Sequence, residues 1–494
     1  MFFSDLGIRE GYKIGWSAVV ILGGLICGLF ILLFNFLPTK WGVLAAIGVM
    51  VPFIALLTGD VKRFFLATLV FALPIQLDIT IGHTGHLGGA AGFIISLYDI
   101  TLAVLYILWI SELVRTKRRI NFFPRISLPF FFLMGMATLS MANASFPTLS
   151  LFEIVQVLKM YLGFLYVGNN IKTKKEIQFV VIFLLLGLFL ESILGLAQYK
   201  FDRAFVPSIL GGPEKLGYIR LGEPLSRISG TWVSYNDFAW YLTFMLPISV
   251  SLLFSRIRGI YKLMCALILV AGIGALICTL SRAGWISFIV AALMVLLLNF
   301  SKSKGKTGLN NFATSIVAIL IAISIIVTVN PQFLNIVNRR VLSDDYDAAY
   351  SRIPQMQVAS NIIRANPFLG VGINNYTEVM QYYDTTEIKL TSITQHQVHN
   401  IFLQVAAEMG IAGLAIFIWL IFMVYREGLS YIKSSESPMS NIVVGLIAGI
   451  TAFLVHGLVD AASLGNHLFL IFWFFAGIVI AIKKIESQAK PSVV

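Results

Sequence analysis

The chain has 494 residues, of which 58% are hydrophobic and 12% charged, with a mean hydropathy of +0.86. Soluble globular proteins carry about 45–50% apolar and about 25% charged residues. The composition therefore excludes a cytosolic enzyme, a disordered chain and a secreted disulfide scaffold, and makes the bilayer the expected solvent. The net charge of +12 would point to nucleic acid in a soluble protein, and here it must first be tested against membrane topology. Cys27, Cys265 and Cys278 lie inside apolar runs, without disulfide or metal-ligand spacing.

Apolar stretches bounded by polar residues predict about fourteen helices, each near the ~20 residues needed to cross a ~30 Å hydrocarbon core. They cover 16–36, 41–58, 63–77, 95–114, 126–142, 151–169, 177–198, 234–254, 260–280, 283–299, 312–330, 400–425, 441–462 and 466–483. Arg9 and Lys13 precede the first run as in a signal peptide. The run is long and lacks a small-x-small cleavage site, so it reads as a retained anchor.

Alternate loops differ in charge. One set holds Lys62 and Arg63, then Arg115, Lys117, Arg118, Arg119 and Arg125, then Lys172, Lys174 and Lys175, then Arg256, Arg258 and Lys262. It continues through Lys302, Lys304 and Lys306, Arg426 and Lys433, and the tail lysines 483, 484 and 490, whereas 78–94, 143–150 and 463–465 have no Lys or Arg. The positive-inside rule places the basic set and both termini in the cytoplasm, which accounts for most of the positive charge without nucleic acid. Two long extracytoplasmic loops follow, 199–233 and 331–398, rich in aromatics, Gly and Pro and expected to cover an outward cavity. The second contains a short predicted helix from Pro354 to Arg364, stopped by Asn366-Pro367. The fold class is thus all-α, a polytopic integral membrane protein forming a single transmembrane domain, with no internal repeat and no soluble domain.

Polar residues at the outer helix ends are the candidates for chemistry. His399 and Asn400 enter a membrane helix, and at 100° per residue His399, Leu403, Ala406, Gly410 and Gly413 fall on one narrow stripe. Small residues there permit a close helix approach. The histidine is either an interfacial helix-start residue or a neutral imidazole able to take a proton from a hydroxyl. Glu408 falls on the opposite face. Ser281-Arg282-Ala283-Gly284 forms a short outer turn, where an arginine runs against the charge bias. Arg339, Arg340, Arg352 and Arg364 lie in the second long loop before Pro367-Phe368-Leu369-Gly370-Val371-Gly372, and Arg220 and Arg227 lie in the first. Each is either a solvated loop charge or a fork suited to phosphate oxygens.

Weaker candidates surround these. Glu153, Gln156 and Lys159 run along the sixth span, and matching depth predicts a Lys159–Glu191 pair. His456 and Asp460 share a face at i, i+4, either orienting polar groups of the cavity or hydrogen-bonding within the bundle. His83 and His86 lack a third metal ligand. His396, one turn before His399, is its possible substitute.

The His-Asn-x9-Gly-x2-Gly arrangement, the Ser-Arg-Ala-Gly turn some 70 residues before Arg352, and the Pro-x-x-Gly-x-Gly stretch resemble the O-antigen ligase and polymerase family. These are membrane glycosyltransferases of the GT-C type, and the resemblance spans roughly residues 227–470. It implies an undecaprenyl-diphosphate-linked oligosaccharide as donor at the outer leaflet of the inner (cytoplasmic) membrane, a saccharide acceptor, no metal and no cofactor. Polysaccharide-assembly proteins are possible partners. By analogy Arg282 and Arg352, with Arg227, bind the donor diphosphate, and His399 activates the acceptor hydroxyl. Secondary candidates are Arg220, His396, His456 and Asp460. A polymerase, taking a second lipid-linked repeat as acceptor, is the preferred expectation, since nothing singles out the acceptor surface of a ligase acting on lipid A-core. A transporter or flippase of a lipid-linked sugar is the rival class. It would predict repeated halves, helices broken near the midplane and charges deep in several spans.

Overall fold

The computed structural model describes residues 59–75, 78–116, 123–201, 227–302, 352–389, 391, 395–435 and 437–489. The predicted spans 16–36, 41–58 and 312–330, most of the loop 199–233, the start of the loop 331–398, and Arg220, Arg339 and Arg340 lie outside the described residues.

The other eleven predicted spans are helices, and so is the short helix predicted within the second long loop. In chain order they are α1 (Val61–Phe71), α2 (Leu97–Thr116), α3 (Ser127–Ser140), α4 (Pro147–Asn170), α5 (Lys174–Phe201) and α6 (Tyr235–Leu253). Then come α7 (Gly259–Cys278), α8 (Arg282–Lys302), α9 (Arg352–Ala365), α10 (Ile401–Ser434), α11 (Met439–His456) and α12 (His467–Ala489). Among the described residues eight helices are long and apolar enough to cross a membrane: α2, α4, α5, α7, α8, α10, α11 and α12. The protein is a polytopic, predominantly helical membrane protein.

Three boundaries depart from expectation for local reasons. The span predicted over 63–77 stops at Phe71, because Pro74 biases the preceding residue away from helical geometry and has no N–H to continue the ladder. The span predicted over 441–462 stops at His456, with Gly457 as its cap. The Gly-rich segment 78–94 contains a hairpin, β1 (Asp78–Ile81) and β2 (Phe93–Ser96), pairing antiparallel with Asp78 opposite Ser96. Its Ile-Thr-Ile and Phe-Ile-Ile runs suit a pleated surface.

α6 lies at the centre and is buried from Phe238 to Leu252. A helix apolar on every side needs neighbours on every side, and α6 packs on α7, α8 and most extensively on α11. On α11 a Cβ at Gly449 would meet Phe244 O at 2.2 Å, so only glycine lets these two backbones approach so closely. α4 packs along α12, α5 along α7, and α3 along α10.

Charge divides the bundle into two ends. At one end Lys62 donates to Asn170 O, Lys172 pairs with Glu112, Lys174 with Glu486, and Lys484 donates to Asn169 Oδ1. Lys483 pairs there with Glu427. At the other end lie the hairpin, the start of α10 and the end of α11. These lysines, among the described residues, gather at one end of the bundle.

The expected Lys159–Glu191 pair does not form. Lys159 donates to Asp99 Oδ2 at 2.7 Å and Ile94 O at 2.5 Å, while Glu191 accepts from the Thr231 hydroxyl at 2.7 Å and its N–H at 3.1 Å. Similar depth did not bring the two onto facing sides. Lys159 found nearer acceptors in Asp99 and the Ile94 carbonyl, and Glu191 a nearer donor in Thr231, a loop residue that the apolar pattern does not register. Glu153, fully buried, accepts the N–H groups of Ala90 at 2.8 Å and Gly465 at 2.6 Å, and Gln156 donates to Ile94 O at 3.3 Å. The polar face of α4 therefore fastens the hairpin and the turn before α12.

Candidate functional site

Asn400 caps α10, its side-chain oxygen accepting the N–H groups of Phe402 and Leu403 at 3.0 Å each. The entering chain is stitched to the turn after α11: Asn400 Nδ2 donates to Leu458 O at 3.0 Å, and Ile401 N to Gly457 O at 2.8 Å. This stitching sets His399 beside Asp460. His399 Nδ1 lies 3.0 Å from Asp460 Oδ1. The Asp460 side chain is 8% exposed, and that of His399 29%. Asp460 Oδ1 also accepts the Ala461 N–H at 3.0 Å. Its other oxygen lies 3.5 Å from Nε2 of His456, whose fully buried ring stacks on Trp240 of α6 at 4.7 Å. Burial pushes the Asp460 carboxyl up, but the two imidazoles outweigh it and hold the group well below the usual carboxylate range.

Ionised Asp460 is acceptor-only, so His399 Nδ1 carries the proton and Nε2 keeps its lone pair. Nε2 has no partner among the described residues. The arrangement can take a proton and stabilise the imidazolium that results.

The predicted stripe from His399 to Gly413 is not continuous. His399 precedes the cap, and Gly410 interrupts α10 with φ 69° and ψ −178°. The break is filled by the loop that follows α9: Ile411 N donates to Pro367 O at 2.8 Å, Val371 N to Ala407 O at 3.0 Å, and Gly372 N to Glu408 O at 3.0 Å. A Cβ on Gly410 would sit 2.2 Å from Phe368 O, and one on Gly370 2.3 Å from the carbonyl carbon of Glu408. The Pro-x-x-Gly-x-Gly stretch is therefore a backbone dock on the broken helix. Glu408 is bonded to Gln404 at 2.7 Å, away from His399 as expected.

The same dock carries α9 to the site. The His399 N–H donates to Gln355 Oε1 at 3.3 Å, and Arg352 opens α9 one turn earlier on the face of Gln355. Arg364, at the far end of α9, is exposed and remote from this turn.

Arg282 opens α8 after a turn in which Leu280 adopts φ 55° and is buried, a conformation costly for a bulky side chain. Arg227 braces that turn. Its Nε donates to Thr279 O at 2.8 Å, its Nη2 to Asn236 Oδ1 at 3.4 Å, and its guanidinium lies over the Tyr235 ring at 3.1 Å. The next residue, Ile228, donates to Cys278 O at 3.4 Å. Asp237, in the same first turn of α6, is near enough to Asp460 to repel it. Arg282 and Arg352 form no hydrogen bond or ion pair with a described residue.

The structure thus brings His399, Asp460 and His456 into contact, sets the first turn of α9 against His399, and places the turn bearing Arg282 at the same end of the bundle. His396 is exposed in irregular chain, not one helical turn below His399. His86 has both ring nitrogens engaged, Nδ1 with Glu378 Oε1 at 2.7 Å and Nε2 with Asn374 Oδ1 at 2.8 Å. It clamps the hairpin onto the loop after α9. Sequence reasoning missed Gln355, Trp240 and Asp237, and paired Asp460 with His456 but not with His399.

Residues 266–418 match the family model described as O-Antigen ligase. This stretch is similar to the O-antigen ligase family. It contains Arg282, Arg352, His399 and the docking glycines, whereas Arg227, His456 and Asp460 lie outside it. No curated protein sequence matches the chain. The family is one of O-antigen ligase or polymerase-type membrane enzymes, and the earlier resemblance rests on the same residues.

Proposed function

We propose that this protein is a polysaccharide polymerase of the inner membrane with its site on the extracytoplasmic side. It transfers a glycan from an undecaprenyl-diphosphate-linked donor to a saccharide hydroxyl of a second lipid-linked repeat. The observation that carries the reading is the His399–Asp460 contact at 3.0 Å, which leaves Nε2 without a partner among the described residues, beside the arginine-bearing turn of α9. His399 takes the acceptor hydroxyl proton as the oxygen attacks the anomeric carbon. The glycosyl–oxygen bond to the diphosphate breaks on the opposite face, so the anomeric centre inverts. The electron pair leaves with the lipid diphosphate, and the forks of Arg282 and Arg352 meet that charge in place of a divalent cation. Arg227 holds the Arg282 turn. His456 and Asp460 fix the tautomer and orientation of His399.

The family description favours one second reading, a ligase whose acceptor is lipid A-core or a similar saccharide. The family match and the site at one end of the bundle argue against a transporter. The break at Gly410 supports this, because loop backbone fills it rather than leaving it to line a pathway.

The test is reconstitution with purified undecaprenyl-diphosphate oligosaccharide in the presence of EDTA. Chain extension should persist under chelation and vanish in His399→Ala. Arg282→Gln and Arg352→Gln should each lose about 10²–10³-fold, the scale of one removed transition-state donor. Undiminished extension in all three variants refutes the assignment. A parallel reaction with lipid A-core as acceptor separates ligase from polymerase.

A further inference from the structure

The end of the bundle opposite His399 holds a cavity of about 500 Å³ between the segment entering α3, the last turns of α10 and the C-terminal part of α12. Phe123 and Ile480 supply apolar wall, while Arg125, Lys483, Lys484 and Glu427 supply charge. The charges do not balance. Glu427 is taken by Lys483. Lys484 donates only to neutral oxygens, Asn169 Oδ1 at 2.7 Å and Gly168 O at 3.5 Å. Arg125 has no partner among the described residues. Two cations therefore face the cavity without an anionic partner among the described residues.

Depth identifies what neutralises them. From His467 to Lys484, α12 rises about 25 Å at 1.5 Å per residue, which sets Lys484 close to the far boundary of a ~30 Å hydrocarbon core. Phe123 is 57% exposed, an apolar surface suited to acyl chain rather than water. Cations level with the headgroups beside an apolar wall match a lipid with phosphate above and hydrocarbon below.

We infer that this cavity is a binding site for the phosphate headgroup of an anionic phospholipid, held by Arg125 and Lys484. It is separate from the donor site and independent of the proposed reaction.

The experiment is native mass spectrometry of the full chain in detergent, titrated with phosphatidylglycerol or with phosphatidylcholine of equal chain length. Phosphatidylglycerol should bind at least about ten-fold tighter. Arg125→Gln, at an exposed position that leaves the fold intact, should weaken it about five-fold, as should Lys484→Gln. Arg256→Gln, an exposed cation at the same end and outside the cavity, should leave binding unchanged. Equal retention of the two lipids, or equal effects of the Arg125 and Arg256 variants, overturns the site. Displacement of phosphatidylglycerol by equimolar inorganic phosphate overturns the lipid assignment in favour of a free anion.

Discussion

Replacing Asp460 by Asn keeps the side-chain shape but removes the charge 3.0 Å from His399 Nδ1. At that separation an imidazolium and a carboxylate attract by about 5 kcal/mol at an effective dielectric near 20. The His399 side chain is 29% exposed, and solvent screening leaves roughly half, about 2–3 kcal/mol. That falls within the ~1.5–3 kcal/mol typical of a hydrogen bond to a charged group. Because the imidazolium exists only as the proton is transferred, the loss falls on kcat: about 30- to 150-fold, at 1.36 kcal/mol per decade. KM for the lipid-linked donor should stay within two-fold or so, since Asp460 touches no proposed donor ligand. Initial rates of chain extension in proteoliposomes measure both constants. Asp460→Asn should add little to His399→Ala, because the two act as one unit. An unchanged kcat, a loss confined to KM, or full multiplicativity with His399→Ala would each refute the dyad.

Gly410→Ala should destabilise the protein by more than about 3 kcal/mol, combining left-handed backbone cost with a Cβ 2.2 Å from Phe368 O. Thermal unfolding in detergent reads this. Glu153→Leu strips the acceptor from two N–H groups at about 1–3 kcal/mol each, and the hairpin amides should lose hydrogen-exchange protection first. Asp384, bonded by Thr386 and Thr391, is partly pushed up by burial but brought down by these bonds to about 2. Its folded value lies below its unfolded one, so its contribution is present above about pH 4 and lost as pH falls toward 2. Protection of the Thr386 and Thr391 amides should fall across that window in the wild type, and should already be weak at neutral pH in Asp384→Asn.

The described spans were legible because a bilayer-length apolar run is a strong signal. The short helix α9 was legible too, from its periodicity and the Asn366-Pro367 stop. What the apolar pattern does not encode is which polar groups meet once the spans pack. Lys159 and Glu191 have compatible depths, yet Asp99 and Thr231 lie nearer. Asp460 reads as the i+4 neighbour of His456, because nothing in the sequence states that α11 ends at Gly457. That ending frees the chain to turn Asp460 toward the cap of α10. Helical-wheel reasoning placed His399 on a stripe with Gly410, but both residues lie where the helix is not helical.

The residues behind the family likeness divide into two physical jobs. Gly370 and Gly410 serve packing: missing side chains let the loop after α9 lie directly on the broken turn of α10, while a Cβ at Gly372 would instead meet Ala144, ahead of α4, at 2.6 Å. Arg352 and His399, to which the proposed function gives the chemistry, stand 47 positions apart in sequence and need the fold to bring them together. The dock solves this. It anchors α9 to the very helix that His399 precedes, so that Gln355 meets the His399 backbone and Arg352 follows one turn away. A substitution at Gly410 and one at Arg352 should therefore leave different marks. Gly410→Ala should loosen the fold and activity together, with exchange rising along 367–372, whereas Arg352→Gln should slow turnover by about 10²–10³-fold in a protein whose unfolding midpoint is unchanged. If Gly410→Ala instead lowers activity at intact stability and protection, the glycine acts on substrate directly and its docking role is wrong.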